Sequence, residues 1–331
     1  MIAPRLIPLA EAERRSRVHV PREREHVNRD AEPALQVDKL GDFMRLDLPP
    51  RELILDPILA ERSLAMVHAW RGVGKTWLTL SLALAIAGGG ACLRWQAPRP
   101  RRVLLIDGEM PAVALRERLA LLIRGATPPL STEAGDNLEI IASDRQGCGL
   151  PDLASPKGQA AIAAAVEAAD VVILDNLSTL FGIRENEADD FAAVNAYLIS
   201  IRRAGKSVVV IHHQGKGGQQ RGSSRKEDVL DLVLALKRPD DFDPEEGARF
   251  IVEVEKARGL MGDALKTFEA RLTVVDNAAR WTVSDPVDPL LEEVRLLLAE
   301  GKSQREIAAA IGKSVGLVNK LVKRISEVRH G

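Results

Sequence analysis

Between the apolar run Leu64 to Trp70 and a strongly helical segment lies the glycine loop Arg71-Gly72-Val73-Gly74-Lys75-Thr76. A glycine turn that leaves a strand and opens a helix aims its backbone N–H groups at an anion, and the helix dipole adds to the attraction. Gly72, Val73, Gly74, Lys75, Thr76 and Trp77 are therefore the expected contacts of a nucleotide's phosphates. Lys75 would neutralise the β- and γ-phosphate oxygens and Thr76 would coordinate Mg2+; the nucleotide this suits is ATP. Ala69 stands where the usual spacing has a first glycine, and alanine is the smallest replacement.

A second motif completes the metal side. In DVVILDN four apolar residues deliver Asp175 to the carboxyl end of a strand, where open α/β sheets bind their ligands, and Asp175 would hold the Mg2+ through water. Hydrolysis also needs a carboxylate to polarise the attacking water. Asn176, not an acid, follows Asp175, so the candidate is Glu109 in RVLLIDGEMP, with Asp107 as the fallback.

These residues need a sheet to hold them, and the chain supplies one. RVLLIDGEM, LEIIAS, DVVILDN and SVVVIHH are short, β-branched, nearly all-apolar runs. PAVALRERLALLI, KGQAAIAAAVEAA and FAAVNAYLISIRRA lie between them and have helical periodicity. Strands apolar on both faces and separated by helices predict a mostly parallel sheet covered on both sides. The tail of this region, LVLALKR, RFIVEVEKARG, FEARLTVVD and ARWTV, is strand-rich with hairpin-like spacing. Three regions are expected: a flexible charged leader over 1–45, an α/β core over 46–284, and a small all-α module over 285–331 after the proline-bearing stretch SDPVDP.

Bulk composition narrows the classes. With 46 Lys and Arg against 47 Asp and Glu, a nucleic-acid surface has to be local and not a general basic coat. Two distant cysteines, Cys92 and Cys148, give neither a zinc-ligand spacing nor a disulfide framework. No apolar run approaches the ~20 residues of a membrane helix. A soluble, cytoplasmic protein with no membrane partner is the expectation.

GVGKT, the GEMP segment, VVILDN, VVVIHHQGKGGQQRGSS and EKARG together resemble the hexameric replicative helicases of the DnaB type. They resemble more closely the plasmid helicase RepA with its phage and mobile-element relatives. The resemblance implies a RecA-like P-loop core whose ATP sits between neighbouring subunits of a homo-oligomeric, hexameric ring. It implies that Glu109 orients the attacking water and that His213 senses the γ-phosphate from a strand tip. Lys216, Arg221, Arg225 and Lys226 would track single-stranded DNA. Lys256 and Arg258 would reach the neighbour's γ-phosphate, which makes turnover depend on assembly.

The last segment reads as three helices. Asp288-Pro289 starts the first and Gly301 stops it; Ser303 and Glu306 form a capping box on the second; Ser314 caps the third. Small Ala308, Gly312 at the turn and apolar Val318 resemble a helix-turn-helix, winged-helix-like in its setting. Such a module would turn Ser314, Val315, Gly316, Asn319 and Lys320 toward the major groove of duplex DNA. The expected function is a DNA-dependent ATPase, a ring helicase or translocase in replication of a plasmid, phage or mobile element. An ATP-gated DNA-binding regulator and a recombination mediator with a RecA-like core are the alternatives.

Overall fold

The computed structural model describes residues 35–182, 190–213, 228–286 and 289–328. In a first unit, up to Pro49, the described residues hold one helical turn, α1 (Leu40–Phe43), whose apolar residues Leu40 and Phe43 face solvent.

The second unit begins with a small antiparallel pair, β1 (Leu53–Leu55) and β2 (Leu59–Ala60), then β3 (Leu64–Ala69) and α2 (Lys75–Gly88). A second small pair, β4 (Ala91–Cys92) and β5 (Trp95–Gln96), leads to β6 (Val103–Asp107), α3 (Ala112–Gly125), α4 (Ala134–Asn137) and β7 (Leu138–Ala142). Next come α5 (Pro156–Ala168), β8 (Val171–Asp175), α6 (Leu177–Leu180), α7 (Asp190–Arg203) and β9 (Ser207–His213). The core closes with β10 (Leu232–Lys237), β11 (Arg249–Ala257), β12 (Phe268–Val275) and β13 (Ala278–Ser284). Three helices follow: α8 (Pro289–Ala299), α9 (Gln304–Ala310) and α10 (Val315–Val328).

Among the described residues one nine-stranded sheet runs β13-β12-β11-β10-β3-β9-β8-β6-β7. From β10 to β7 every pairing is parallel; from β10 to β13 every pairing is antiparallel. The parallel part has the signature of a sheet covered twice: β3, β6 and β8 are buried at every position. One face packs Leu78, Leu80 and Ile86 of α2 against Val67, Leu105 and Ile173; the other packs Phe191, Leu198 and Ile162 against Leu104, Val172 and Val210. Burying each such side chain is worth about 1.5–3 kcal/mol.

The expectation that all these strands are covered on both faces fails at β7. It is the sheet edge, and Glu139 and Ile140 are exposed there. A strand with one neighbour has no second helix to bury it, so its apolar residues do not report its position.

Local signals explain the helix ends. Gly89 stops α2 at φ 67°, a conformation that costs glycine nothing. The Ser155 hydroxyl accepts the Gly158 N–H at the start of α5, with Pro156 in the first turn. Ser303 and Glu306 make the reciprocal capping box of α9. The three C-terminal helices share a core of Val294, Ile307, Ala308, Val318 and Leu321. Among the described residues no helix is long and apolar enough to cross a membrane.

Candidate nucleotide site

The parallel register brings the carboxyl ends of β3, β9, β8 and β6 to one edge: Ala69 pairs with His213, and Asp107 with Asp175. That edge gathers the residues expected to bind the nucleotide. Gly72 and Gly74 have φ of 74° and 112°, and a methyl group on Gly74 would come within 2.7 Å of the Ala248 side chain. The loop is thus a tight cradle that opens α2 with no side chain capping the helix N-terminus.

The Lys75 ammonium is buried and donates to the Ala69 and Trp70 carbonyls at 3.1 and 2.9 Å. Burial pulls its pKa down to about 8, against the attraction of Asp175 and Glu109. Asp175 is 5% exposed, and its Oδ2 has no hydrogen-bond partner among the described residues. Burial, then repulsion from Asp107 and Glu109, pushes its pKa up to about 7, opposed by Lys75. A buried carboxylate oxygen without a donor, near an ammonium and an open helix N-terminus, fits a hydrated Mg2+ on a triphosphate. When bound, the ion would neutralise phosphate charge, with Thr76 and Asp175 holding it.

Glu109 owes its position to its neighbours. Asp107 Oδ1 accepts the Glu109 and Met110 N–H groups at 2.9 and 2.6 Å, folding the loop into a turn. Gly108 donates to the Asp175 carbonyl at 2.7 Å, and a Cβ there would lie 2.4 Å from the Thr179 hydroxyl. Asp107, the fallback for the Glu109 role, thus has its Oδ1 engaged in holding this loop; it is 2% exposed, and burial raises its pKa.

Asn176 enters where sequence reasoning saw only the lack of an acid. Ser178 and the Thr179 N–H donate to its Oδ1, which turns its amide nitrogen to within 2.7 Å of His213 Nε2. The same His213 nitrogen lies 3.3 Å from each Glu109 oxygen. His213, and next Asn176, hold the Glu109 pKa below its ordinary value against desolvation. His212 points to the opposite face, edge-on to Phe191.

Arg118 of α3 also escaped notice. Its guanidinium stacks 4.8 Å over Trp77 and is attracted by Asp107 and Asp175. Only the i, i+3/i+4 stripe of α3 hinted that Arg118 faces inward.

Lys256 and Arg258 lie elsewhere. Because β11 runs antiparallel to β10, Ala257 pairs with Leu232, level with Ala65 at the start of β3. Arg258, one residue past the strand, donates to the Asp228 carbonyl at 2.6 Å and pairs with Asp231 at 3.7 Å. It occupies the sheet edge opposite Lys75. The Lys216, Arg221, Arg225 and Lys226 segment lies outside the described residues. In the last helix Val315, Gly316, Asn319 and Lys320 are exposed, and Ser314 Oγ accepts the Leu317 N–H at 3.3 Å.

The sheet order, with a glycine loop leaving β3 for α2, is that of a largely parallel α/β P-loop fold. The chain belongs to the AAA domain family AAA_25, whose model matches residues 30–219, more than half of the sequence. It is similar to flagellar accessory protein FlaH from Methanocaldococcus jannaschii, at 14% identity and a TM-score of 0.48, covering 68% of this chain and 91% of that one. It is similar to the KaiC-like protein PH0186 from Pyrococcus horikoshii OT3, at 14% identity and TM-score 0.46, covering 70% and 99%. It is similar also to the RadB recombinase, at 16% identity and TM-score 0.43, covering 64% and 88%.

Proposed function

We propose that the protein is a DNA-dependent ATPase of the RepA/DnaB kind, a ring helicase or translocase in replication of a plasmid, phage or mobile element. The observation that carries this reading is the separation of Lys75 from Arg258. One chain has its phosphate loop at one edge of the sheet and its EKARG cations at the other. A second copy would be needed to bring Arg258 to the phosphates, as in a closed ring.

Lys75 and the loop N–H groups bind the phosphates of ATP. Thr76 and Asp175 would hold Mg2+, which would withdraw charge from the phosphates. Glu109 orients water and takes its proton. His213 touches Glu109 and sits at the tip of β9, where the chain continues toward Lys216, Arg221, Arg225 and Lys226. A nucleotide-dependent shift of the imidazole would reach that segment and the single-stranded DNA it holds. Lys256 and Arg258 of the next copy stabilise charge leaving the γ-phosphate, an effect worth ~10³–10⁵ in rate for arginine fingers. The C-terminal helices form a separate module over 285–331 that binds duplex DNA through Ser314, Val315, Asn319 and Lys320.

A second reading, an ATP-gated DNA-binding regulator, draws on the exposed Val315, Asn319 and Lys320 of α10. Steady-state ATPase with and without single-stranded DNA, for wild type and Glu109→Gln, tests the first. Stimulated turnover that the variant loses is expected. Full turnover in Glu109→Gln refutes the catalytic assignment. Slow turnover indifferent to single strands, with tight binding to one duplex sequence, favours the regulator.

A further inference from the structure

We infer that Arg238 and Phe242 form the shelf on which the nucleobase of the bound nucleotide rests; this builds on the reading of Gly72 to Thr76 as a triphosphate cradle. The first observation is directional. Strand β10 lies beside β3 on the flank away from β9, β8 and β6. Glu109, Asp175 and His213, which would face the terminal phosphate, all come from the β9-to-β6 flank. A nucleotide with its terminal phosphate toward those groups extends its sugar and base toward β10.

The second observation is what waits there. Leu236 is in register with Ala69, so β10 runs out beside the start of the phosphate loop. Arg238 donates through Nη2 to the Arg71 carbonyl at 3.4 Å, and a Cβ on Gly72 would lie 3.1 Å from that same nitrogen. Buried Pro239 anchors a turn in which Phe242 N–H donates to the Pro239 carbonyl, bringing the Phe242 ring 4.9 Å from the Arg238 guanidinium. Ala248, farther along the same segment, is the neighbour of Gly74. Two flat, stackable groups are thus held at the lip of the cradle on the side opposite the chemistry, and neither is buried.

The chemistry suits a base. Purine rings stack on aromatic faces and on guanidinium planes, with a gain that tolerates any base because each has a π-face. A shelf of this kind raises affinity for a nucleoside triphosphate without touching the phosphates. Among nucleotides it favours the larger purines.

The test is isothermal titration of the full chain with Mg-ATP and, separately, with Mg-tripolyphosphate, which has the phosphates but no base. Phe242→Ala is expected to weaken ATP roughly tenfold, the loss of one base–aromatic stack, while tripolyphosphate binds as to wild type. Phe242→Tyr, which keeps the face, retains wild-type ATP affinity and rules out a merely structural loss. Arg238→Gln is expected to act in the same direction as Phe242→Ala. Unchanged ATP affinity in Phe242→Ala overturns the shelf, as does an equal loss for both ligands. A wild type that binds neither ligand overturns the cradle itself, a different result from a shelf that fails alone.

Discussion

His213 meets Glu109 through the ring nitrogen that also faces Asn176, and the two contacts require opposite protonation states. Asn176 can only donate, since its Oδ1 is taken by Ser178 and Thr179. A bare Nε2 accepts from Asn176; an Nε2 that carries hydrogen pairs with the Glu109 carboxylate. The nitrogen therefore serves one partner at a time. His213→Ala removes the largest influence holding the Glu109 carboxyl acidic. Glu109 must be ionised to act as base, so the acid limb of the kcat–pH profile should move to higher pH, with kcat down ~10–100-fold. Saturating ATP over a pH series checks this; an unmoved acid limb refutes the link.

Asp175 carries a cost in the nucleotide-free protein. Its folded pKa is about 7, above the ordinary aspartate value of 3.8, so the fold binds a proton that the unfolded chain has released. By linkage, stability falls as pH rises between those two values and levels off above the upper one. Asp175→Asn removes the charge. In EDTA at pH 8 the variant should be the more stable by roughly 1–3 kcal/mol, and the difference should vanish near pH 4. Thermal melts at both pH values decide; an advantage that persists at pH 4 would show that the charge is not its source.

Lys75→Ala and Arg258→Ala should each abolish most turnover, for opposite reasons. Arg258→Ala keeps its phosphate loop and should bind ATP as wild type does. If the arginine serves the next copy, mixing the two variants rebuilds complete sites at some junctions. ATPase of an equimolar mixture should then exceed the sum of the two alone. A mixture no better than that sum would mean that Arg258 has no role across a subunit boundary.

Gly125 ends α3 where a Cβ would lie 1.8 Å from the Ala279 carbonyl oxygen of β13. Trp281 of the same hairpin donates to Ser81 of α2 at 2.8 Å, so the hairpin cannot simply slide away. Gly125→Ala should cost about 1–3 kcal/mol through overpacking and lower the Tm by several degrees. A melt equal to wild type would show that α3 and β13 separate easily.

The sequence made legible what is local. The phosphate loop is five residues between a strand and a helix, and Asp175 and Glu109 each follow closely on an apolar run. The order of strands and helices could be read because the parallel strands alternate with amphipathic helices. The capping box of α9 is spelled by Ser303 and Glu306 alone. What could not be read depends on register between distant segments. Arg238 and Phe242 come to the loop only because β10 pairs with β3 across more than 160 residues of chain. The edge position of β7 leaves no mark in LEIIAS, since apolar residues there look the same as in a buried strand. Asn176 looks like a missing acid until Ser178, Thr179 and His213 are placed around it.

Strand β11 pairs Val254 with Leu234 but Lys256 with Val233, leaving Glu255 as a residue too many. From that bulge Glu255 reaches across β10 to the wholly buried His68 at 2.7 Å. One supernumerary residue inverts the parity of everything after it, so Lys256 and Ala257 present the sides that their neighbours in number would otherwise present. Excising Glu255 would leave Lys256 opposite Val233 on its present face, but would take away the carboxylate that meets His68. The strand's arithmetic, as much as its chemistry, decides where those charges point.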